Sequence, residues 1–276
     1  MSMTMKLLVV NVGIFLLIFI SGCTGLPPRP RGNGTSGLIF LGDFENGILA
    51  DFGIGAWGKE TARPDSAQIV TSPVRKGHYA VKFTLRPDDI AAKKNRAELT
   101  IKDKFIENFP PSSEAWYSWS FLVPEDYTDA PSDKFQIMGQ WHHRPPPGET
   151  FEYFERVYGR GGGPPISINY GKKGNQTGIA LTYGATSPLV SGRTVAIHQI
   201  EKGQWIDLVF HIRWSTGNDG FIEAWFNGEP WTQGKVYGPN MYNEVPNFLK
   251  IGLYREFGIE TTNSVYFDEV KIGESF

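Results

Sequence analysis

The chain has 276 residues, with 27 Lys and Arg against 29 Asp and Glu, for a net charge of −2. That balance excludes the basic excess of a nucleic-acid binder, and 40% hydrophobic with 20% charged residues excludes a disordered chain. A single Cys rules out both an intramolecular disulfide and a Cys-based zinc site.

In chain order, the first element reads as an export signal over residues 1–22. Lys6 supplies its positive region, Leu7 to Ile20 its apolar run and Ser21-Gly22-Cys23 a small-residue processing site. The run is shorter than the roughly 18 to 20 residues that span a bilayer. Ile20-Ser21-Gly22-Cys23 resembles the bacterial lipobox, which implies cleavage before Cys23 and a lipid on its thiol; a secretory signal with an incidental Cys is the plainer alternative. Residues 23–37 then form the lipidated Cys and a Pro/Gly/Ser-biased tether. Thr24 in place of an Asp after the Cys points, in the resembled system, to the outer membrane or cell surface.

Residues 38–276 show no second linker and no internal repeat, consistent with a single domain. Two-residue alternation predicts strands over Ala80 to Leu85, Arg96 to Ile101, Ile166 to Tyr170, Ile179 to Tyr183, Trp205 to Trp214 and Phe221 to Phe226. Asn218-Asp219-Gly220 and Asn227-Gly228 are turn signals on either side of the last. The pattern predicts an all-β sandwich or jelly roll with little helix. Residues 143–163 break it: Pro145 to Pro147 and Gly161 to Gly163 predict a long loop with one helical turn near Phe151 to Val157.

Three predicted strands each set polar groups on one face. Arg96, Glu98 and Thr100 alternate with Ala97, Leu99 and Ile101. Gln140 and His142 oppose Ile137 and Trp141, and Lys250 and Tyr254 oppose Leu249, Ile251 and Leu253, with Gly252 leaving space between the polar pair. Singly, each has a bland reading: a solvated ion pair for Arg96 and Glu98, a half-buried His142, a Tyr254 with its hydroxyl in water. Their joint occurrence favours a site.

Arg96-Ala97-Glu98-Leu99, Gln140-Trp141-His142 and Leu249-Lys250-Ile251-Gly252-Leu253-Tyr254-Arg255 resemble, in order, signature strands of jelly-roll polysaccharide lyases. The likeness is to the heparin lyase I-like and glucuronan lyase-like group, and alginate lyases carry comparable strands. Asp43-Phe44-Glu45, Val74-Arg75-Lys76-Gly77, Asp219-Gly220, Trp225-Phe226-Asn227-Gly228 and Tyr266-Phe267-Asp268-Glu269-Val270 extend it over nearly all of residues 38–276; the 143–163 segment departs from it. The resemblance implies a concanavalin-like β-jelly roll of two packed antiparallel sheets, with the catalytic groove on the concave sheet. It implies β-elimination at a uronic acid: removal of the C5 proton, departure of O4 and an unsaturated uronate product.

The residues suit that chemistry. Arg96 offers a fork for a carboxylate and Gln140 an amide donor, while His142 is the natural base and Tyr254 the natural acid, or in a syn elimination both. Glu98 is assigned to orienting Arg96. Lys250, Arg255, His143 and Arg144 are the further substrate-binding candidates, and Arg144, Arg156, Arg160, Lys172 and Lys173 form a locally basic set for an anionic polymer. No metal or other cofactor is demanded; a structural calcium at Asp43, Glu45 and Asp268 is a secondary expectation. The expected partners are an anionic polysaccharide and, through Cys23, a membrane, with the chain a monomer. Two rivals remain. A glycoside hydrolase needs paired carboxylates, but the E-x-D-x-x-E strand is absent and Glu152 and Glu155 fall in the loop. A surface carbohydrate-binding module would use Trp141, Trp205, Trp214, Trp225 and Trp231 for stacking, but would not need an acid and a base.

Overall fold

The computed structural model describes residues 37–51, 55–101, 109–173 and 176–275. The expected signal, Cys23 and the tether as far as Ser36 lie outside the described residues.

Alternating apolar residues build two antiparallel sheets that bury one face each. In chain order the main strands are β1 (Leu38–Gly42), β2 (Gly58–Glu60), β3 (Ala67–Val70), β4 (Ala80–Leu85), β5 (Lys94–Thr100), β6 (Glu114–Leu122), β7 (Gln136–His142), β8 (Ile166–Lys173), β9 (Gln176–Tyr183), β10 (Arg193–Gln199), β11 (Trp205–Arg213), β12 (Phe221–Phe226), β13 (Phe248–Arg255) and β14 (Asn263–Gly273). Among the described residues the one α-helix, α1 (Glu152–Tyr158), seven residues long, sits in the predicted loop. The nine-stranded sheet runs β12-β11-β6-β14-β4-β3, with β1 on β14 and two short strands on β12. The eight-stranded sheet runs β10-β9-β8-β7-β13-β5-β2, with Ile90–Ala91 on β5. This is the two-sheet, nearly all-β jelly roll that the sequence predicts. Among the described residues no helix is long and apolar enough to cross a membrane.

Aromatic side chains fill the space between the sheets. Trp141 of β7 is fully buried, with ring centroids 5.1 Å from Tyr117, 5.4 Å from Trp119 and 5.1 Å from Phe210 across the sandwich. Because neighbouring strand residues point to opposite faces, this anchor turns Gln140 and His142 outward. Leu249, Ile251 and Leu253 do the same for β13, and Ala97 and Leu99 for β5.

Two irregularities shape the outward face. The register of β7 shifts between Ile137 and Gly139 against both of its neighbours. Ile137 therefore pairs with Tyr254 and shares its face, instead of opposing Gln140 and His142 as uninterrupted alternation predicts. Gly252 of β13 has φ +131°, and a Cβ there would lie 2.3 Å from the Ala97 carbonyl oxygen and 2.9 Å from the Glu98 Cα. The glycine is thus required by backbone approach as well as by side-chain space. Gly252→Ala should cost at least about 2 kcal/mol of unfolding free energy in urea, because the clash is with backbone that cannot rotate away; an unchanged midpoint would show that β13 and β5 can separate freely.

Candidate active site

Strands β7, β13, β5 and β2 lie side by side, and their register brings the outward residues together. Arg96 pairs with Tyr254, Glu98 with Gly252 and with Glu60, Gln140 with Lys250, and His142 with Phe248. Cross-strand partners share a face, so Arg96, Gln140, His142 and Tyr254 all stand on the outer face of one sheet. They form a row along the strands. Five residues of β7 separate His142 from Ile137, the partner of Tyr254, which is roughly 16 Å of strand.

A charge cluster occupies the middle of the row. One Glu60 oxygen accepts from Lys250 Nζ at 2.6 Å and the other from Arg96 Nη1 at 2.6 Å. Glu98 Oε2 lies 3.2 Å from the same Arg96 nitrogen, and Gln140 Nε2 donates to Glu98 Oε1 at 2.6 Å. The Glu98–Gln140 contact joins strands on either side of β13 next to Gly252, where no side chain intervenes. These groups are largely out of water: side-chain exposure is 8% for Arg96, 4% for Lys250 and 1% for Glu98, against 24% for Glu60.

Burial acts oppositely on the two carboxylates. It raises the Glu98 pKa above the usual value, with Lys250 and Arg96 only partly opposing it. Burial also pushes Glu60 up, but the pull of Lys250 and Arg96 outweighs it and holds that carboxyl below its ordinary value. The two carboxyls that face the same cations are thus shifted in opposite directions.

The ends of the row are aromatic. The Arg96 guanidinium lies 4.5 Å from the centre of the Tyr254 ring, and Phe135 meets that ring edge-on at 5.1 Å. Burial raises the Tyr254 pKa, so the phenol keeps its proton at neutral pH. At the other end His142 is half-buried, with its ring 5.6 Å from Phe248 and 5.7 Å from Phe151. Its Nδ1 lies 2.8 Å from the His143 carbonyl. A carbonyl only accepts, so Nδ1 carries the hydrogen and Nε2 keeps a lone pair. Burial, with His143 and Lys250 adding to it, lowers the His142 pKa well below 6.5 and fixes the neutral form.

The remaining candidates divide. Lys250 and Glu98 lie in the cluster, and Arg144 reaches its edge, with its guanidinium 4.4 Å from the Phe248 ring. Arg255 points the other way: it is 1% exposed and donates to Asn95 Oδ1 at 2.7 Å, because it follows outward-facing Tyr254 on the strand. His143 is also 1% exposed, stacked 3.8 Å from Tyr242, and burial takes its pKa down to about 4. Neither is placed to touch a polymer. Of the basic loop set, Arg156 pairs with Glu149 at 2.6 Å, while the side chains of Lys172 and Lys173 lie outside the described residues. The carboxylates considered for calcium have other partners. Glu45 accepts from the His78 and Tyr79 amides and Asp268 from those of Arg75 and Lys76. Among the described residues no group of three or more His, Cys, Asp or Glu is placed to hold a metal ion.

Sequence reading missed Glu60, which lies on a three-residue strand too short to show alternation. It also missed the polar continuation of the row on β8 and β9. There Ser167 pairs with both Gln140 and Thr182, and Asn169 donates to Ser167 and Thr182 at 3.0 and 2.9 Å. The alternation of Ile166-Ser167-Ile168-Asn169-Tyr170 carried that signal.

Removing the Glu60 charge leaves two buried cations without their shared counter-ion, so Glu60→Gln should cost about 2 kcal/mol of stability at neutral pH. Because folding depresses the Glu60 pKa, its contribution is present above the unfolded value of 4.5 and is lost as pH falls through the folded one. The stability gap between parent and variant should therefore close on acidification, as followed by urea unfolding across pH; a constant gap would mean that the charge is not what matters.

A search of curated proteins finds no relative of this chain. Among solved structures, the endo-β-1,4-glucuronan lyase of the fungus Trichoderma reesei superimposes with a TM-score of 0.59 at 21% identity, over 86% of this chain and 95% of that one. The alginate lyase Aly36B, solved as a double mutant with an alginate trisaccharide, gives 0.54 at 12% identity, over 84% and 96%. The catalytic domain of a family 131 glycoside hydrolase from Coprinopsis cinerea gives 0.57 at 15%, over 85% and 93%. At these identities the likeness is one of fold, and the fold carries more than one activity. The sequence profile is what decides: residues 44–271 match that of the polysaccharide lyases, and the chain belongs to that family.

Proposed function

We propose that this polysaccharide lyase cleaves a uronic-acid-containing polymer by β-elimination, with the charge cluster holding the carboxylate of the sugar to be cleaved. The observation that carries the reading is the centre of the row, where the guanidinium of Arg96 and the ammonium of Lys250 stand side by side on the outer face with the Gln140 amide next to them. These donors suit the carboxylate of a uronate, and neutralising it acidifies the C5 proton and stabilises the enolate-like intermediate. His142 Nε2 removes that proton, and the C4–O4 bond breaks as the C4=C5 double bond forms. Tyr254 gives its proton to the departing O4. His142 and Tyr254 stand at opposite ends of the row, on either side of the charge cluster. A hydrolase would have to use Glu60 and Glu98, but Glu98 is 1% exposed and Glu60 is bound to two cations. We further propose that Cys23 carries a lipid that keeps the enzyme on the outer envelope; Cys23→Ser should move it to the soluble fraction.

The direct test is ultraviolet absorbance of the unsaturated product across glucuronan, alginate and heparin-like polymers; no absorbance with any of them ends the proposal. Tyr254→Phe and His142→Ala should each lower kcat by roughly 100- to 10,000-fold with polymer binding retained. Full turnover by His142→Ala alongside a silent Tyr254→Phe would move both proton transfers to Tyr254. Arg96→Ala should weaken binding as well as rate. The pH profile of kcat/KM should stay level as pH falls through 6.5, since the His142 pKa lies well below that value, and should decline only in strong alkali as Tyr254 ionises. An acidic limb centred at 6.5 would remove His142 as the base.

A further inference from the structure

Beneath the Arg96–Tyr254 pair, on the inner side of the same sheet, Asn95 of β5 pairs with Arg255 of β13. Alternation calls for apolar side chains there, as Ala97 and Leu253 supply two residues further along the strands. Instead Asn95 and Arg255 are each 1% exposed, and no carboxylate among the described residues forms an ion pair with the guanidinium. Its Nη1 is buried with no hydrogen-bond partner among those residues. Burial lowers the Arg255 pKa, with Tyr127, Asp89 and Glu260 only partly opposing it. A cation in such a place weakens the fold, and an apolar side chain of similar volume would often be at least as stable. Breaches of a local rule like this one are expected where a residue serves the site.

What the guanidinium holds shows how it could serve. The Asn95 side chain is itself fixed: its Nδ2 donates to the carbonyls of Arg86 at 2.9 Å and Asp89 at 2.7 Å, which leaves Oδ1 as the acceptor. That turn is braced in its own right, since the Asp89 carboxylate accepts from the Arg86 amide at 3.0 Å and from Arg63 Nε. Against this fixed point Arg255 Nε donates to Asn95 Oδ1 at 2.7 Å, and Nη2 reaches the Leu85 carbonyl of β4, in the other sheet, at 3.4 Å. Strand β13 ends at Arg255, so Tyr254 is its next-to-last residue, where strands loosen most readily. The side-chain bridge pins that end. On the outer face, one residue away on each strand, the Arg96 guanidinium lies over the Tyr254 ring and also reaches Glu60. A slip of β13 against β5 would break that arrangement.

We propose that Arg255 and Asn95 are positioning residues for the elimination, their bond beneath the sheet holding Tyr254 and Arg96 in register for proton transfer. The proposal rests on the lyase mechanism above, in which Tyr254 is the acid. Arg255→Met keeps much of the bulk while removing the charge and the donors. It should leave the urea midpoint unchanged or raised, yet lower kcat roughly 10- to 100-fold with KM changed by less than about twofold. Arg255→Lys, which retains the charge but not the planar fork, should show the same loss of kcat. In a Tyr254→Phe background neither substitution should lower kcat further, because the loss passes through the phenol; a merely structural role would lower it in both backgrounds. Full kcat in either variant, or an undiminished loss on top of Tyr254→Phe, overturns the proposal. Absence of unsaturated product from the parent protein would end the elimination reading instead. Crystal structures of parent and Arg255→Met would then still decide the positioning role: the 4.5 Å stack of Arg96 on Tyr254 should open by about 1 Å or more, and a stack that stays closed refutes it.

Discussion

Two cations lie almost out of water on the outer face of a β-sheet, and one carboxylate bridges both. This is the constraint on which the rest of the site depends. A buried Arg or Lys without a counter-charge would cost several kcal/mol, so Glu60 stabilises the place where the cations stand. The second carboxylate is buried more deeply than the first. Burial raises the Glu98 pKa, against the pull of Lys250 and Arg96, and its two oxygens face the Gln140 amide and the Arg96 guanidinium. Two residues of the same type, opposite one another in register, thereby have their pKa values moved in opposite directions.

Gly252 shows how tightly backbone and chemistry are joined. Its φ of +131° and the close approach of Ala97 and Glu98 draw β13 against β5. The same missing side chain lets Glu98 meet Gln140 across β13. A larger residue there would separate the two strands and part the carboxylate from the amide it supports. The core contributes from below, since Trp141 buried between the sheets commits both of its neighbours on β7 to the outer face.

Much of this was legible in the sequence because it follows from a period of two. Arg96 with Glu98, Gln140 with His142 and Lys250 with Tyr254 lie on the faces that alternation assigns. Departures arise where alternation fails or says nothing. The register shift in β7 moves Ile137 to the site face. Arg255 continued a recognisable motif but sits one residue past Tyr254, so its side chain turns to the opposite face and pairs with Asn95. His143 looked like a second imidazole for substrate, but strand β7 ends at His142, and beyond it the ring packs on Tyr242 under the loop. Glu60 is distant in sequence from every motif it joins, and only pairing of β2 with β5 reveals it.

The division of labour between sheet and loop follows from their rigidity. Proton transfer and charge stabilisation need groups held to within a fraction of an ångström, which paired strands with a packed core provide. Choosing among polymers asks instead for contacts that can change without disturbing that geometry, and connecting loops supply such variation. Here the loop begins at the last residue of a site strand, so the His143 carbonyl that fixes the His142 tautomer belongs to the first residue of the loop. Its aromatic clasp on Tyr242 therefore holds the residue whose carbonyl sets the imidazole tautomer. A change in this loop that kept the clasp would leave the His142 tautomer as it is. One that broke the clasp would release the carbonyl, and with it the hydrogen bond that sets the His142 tautomer.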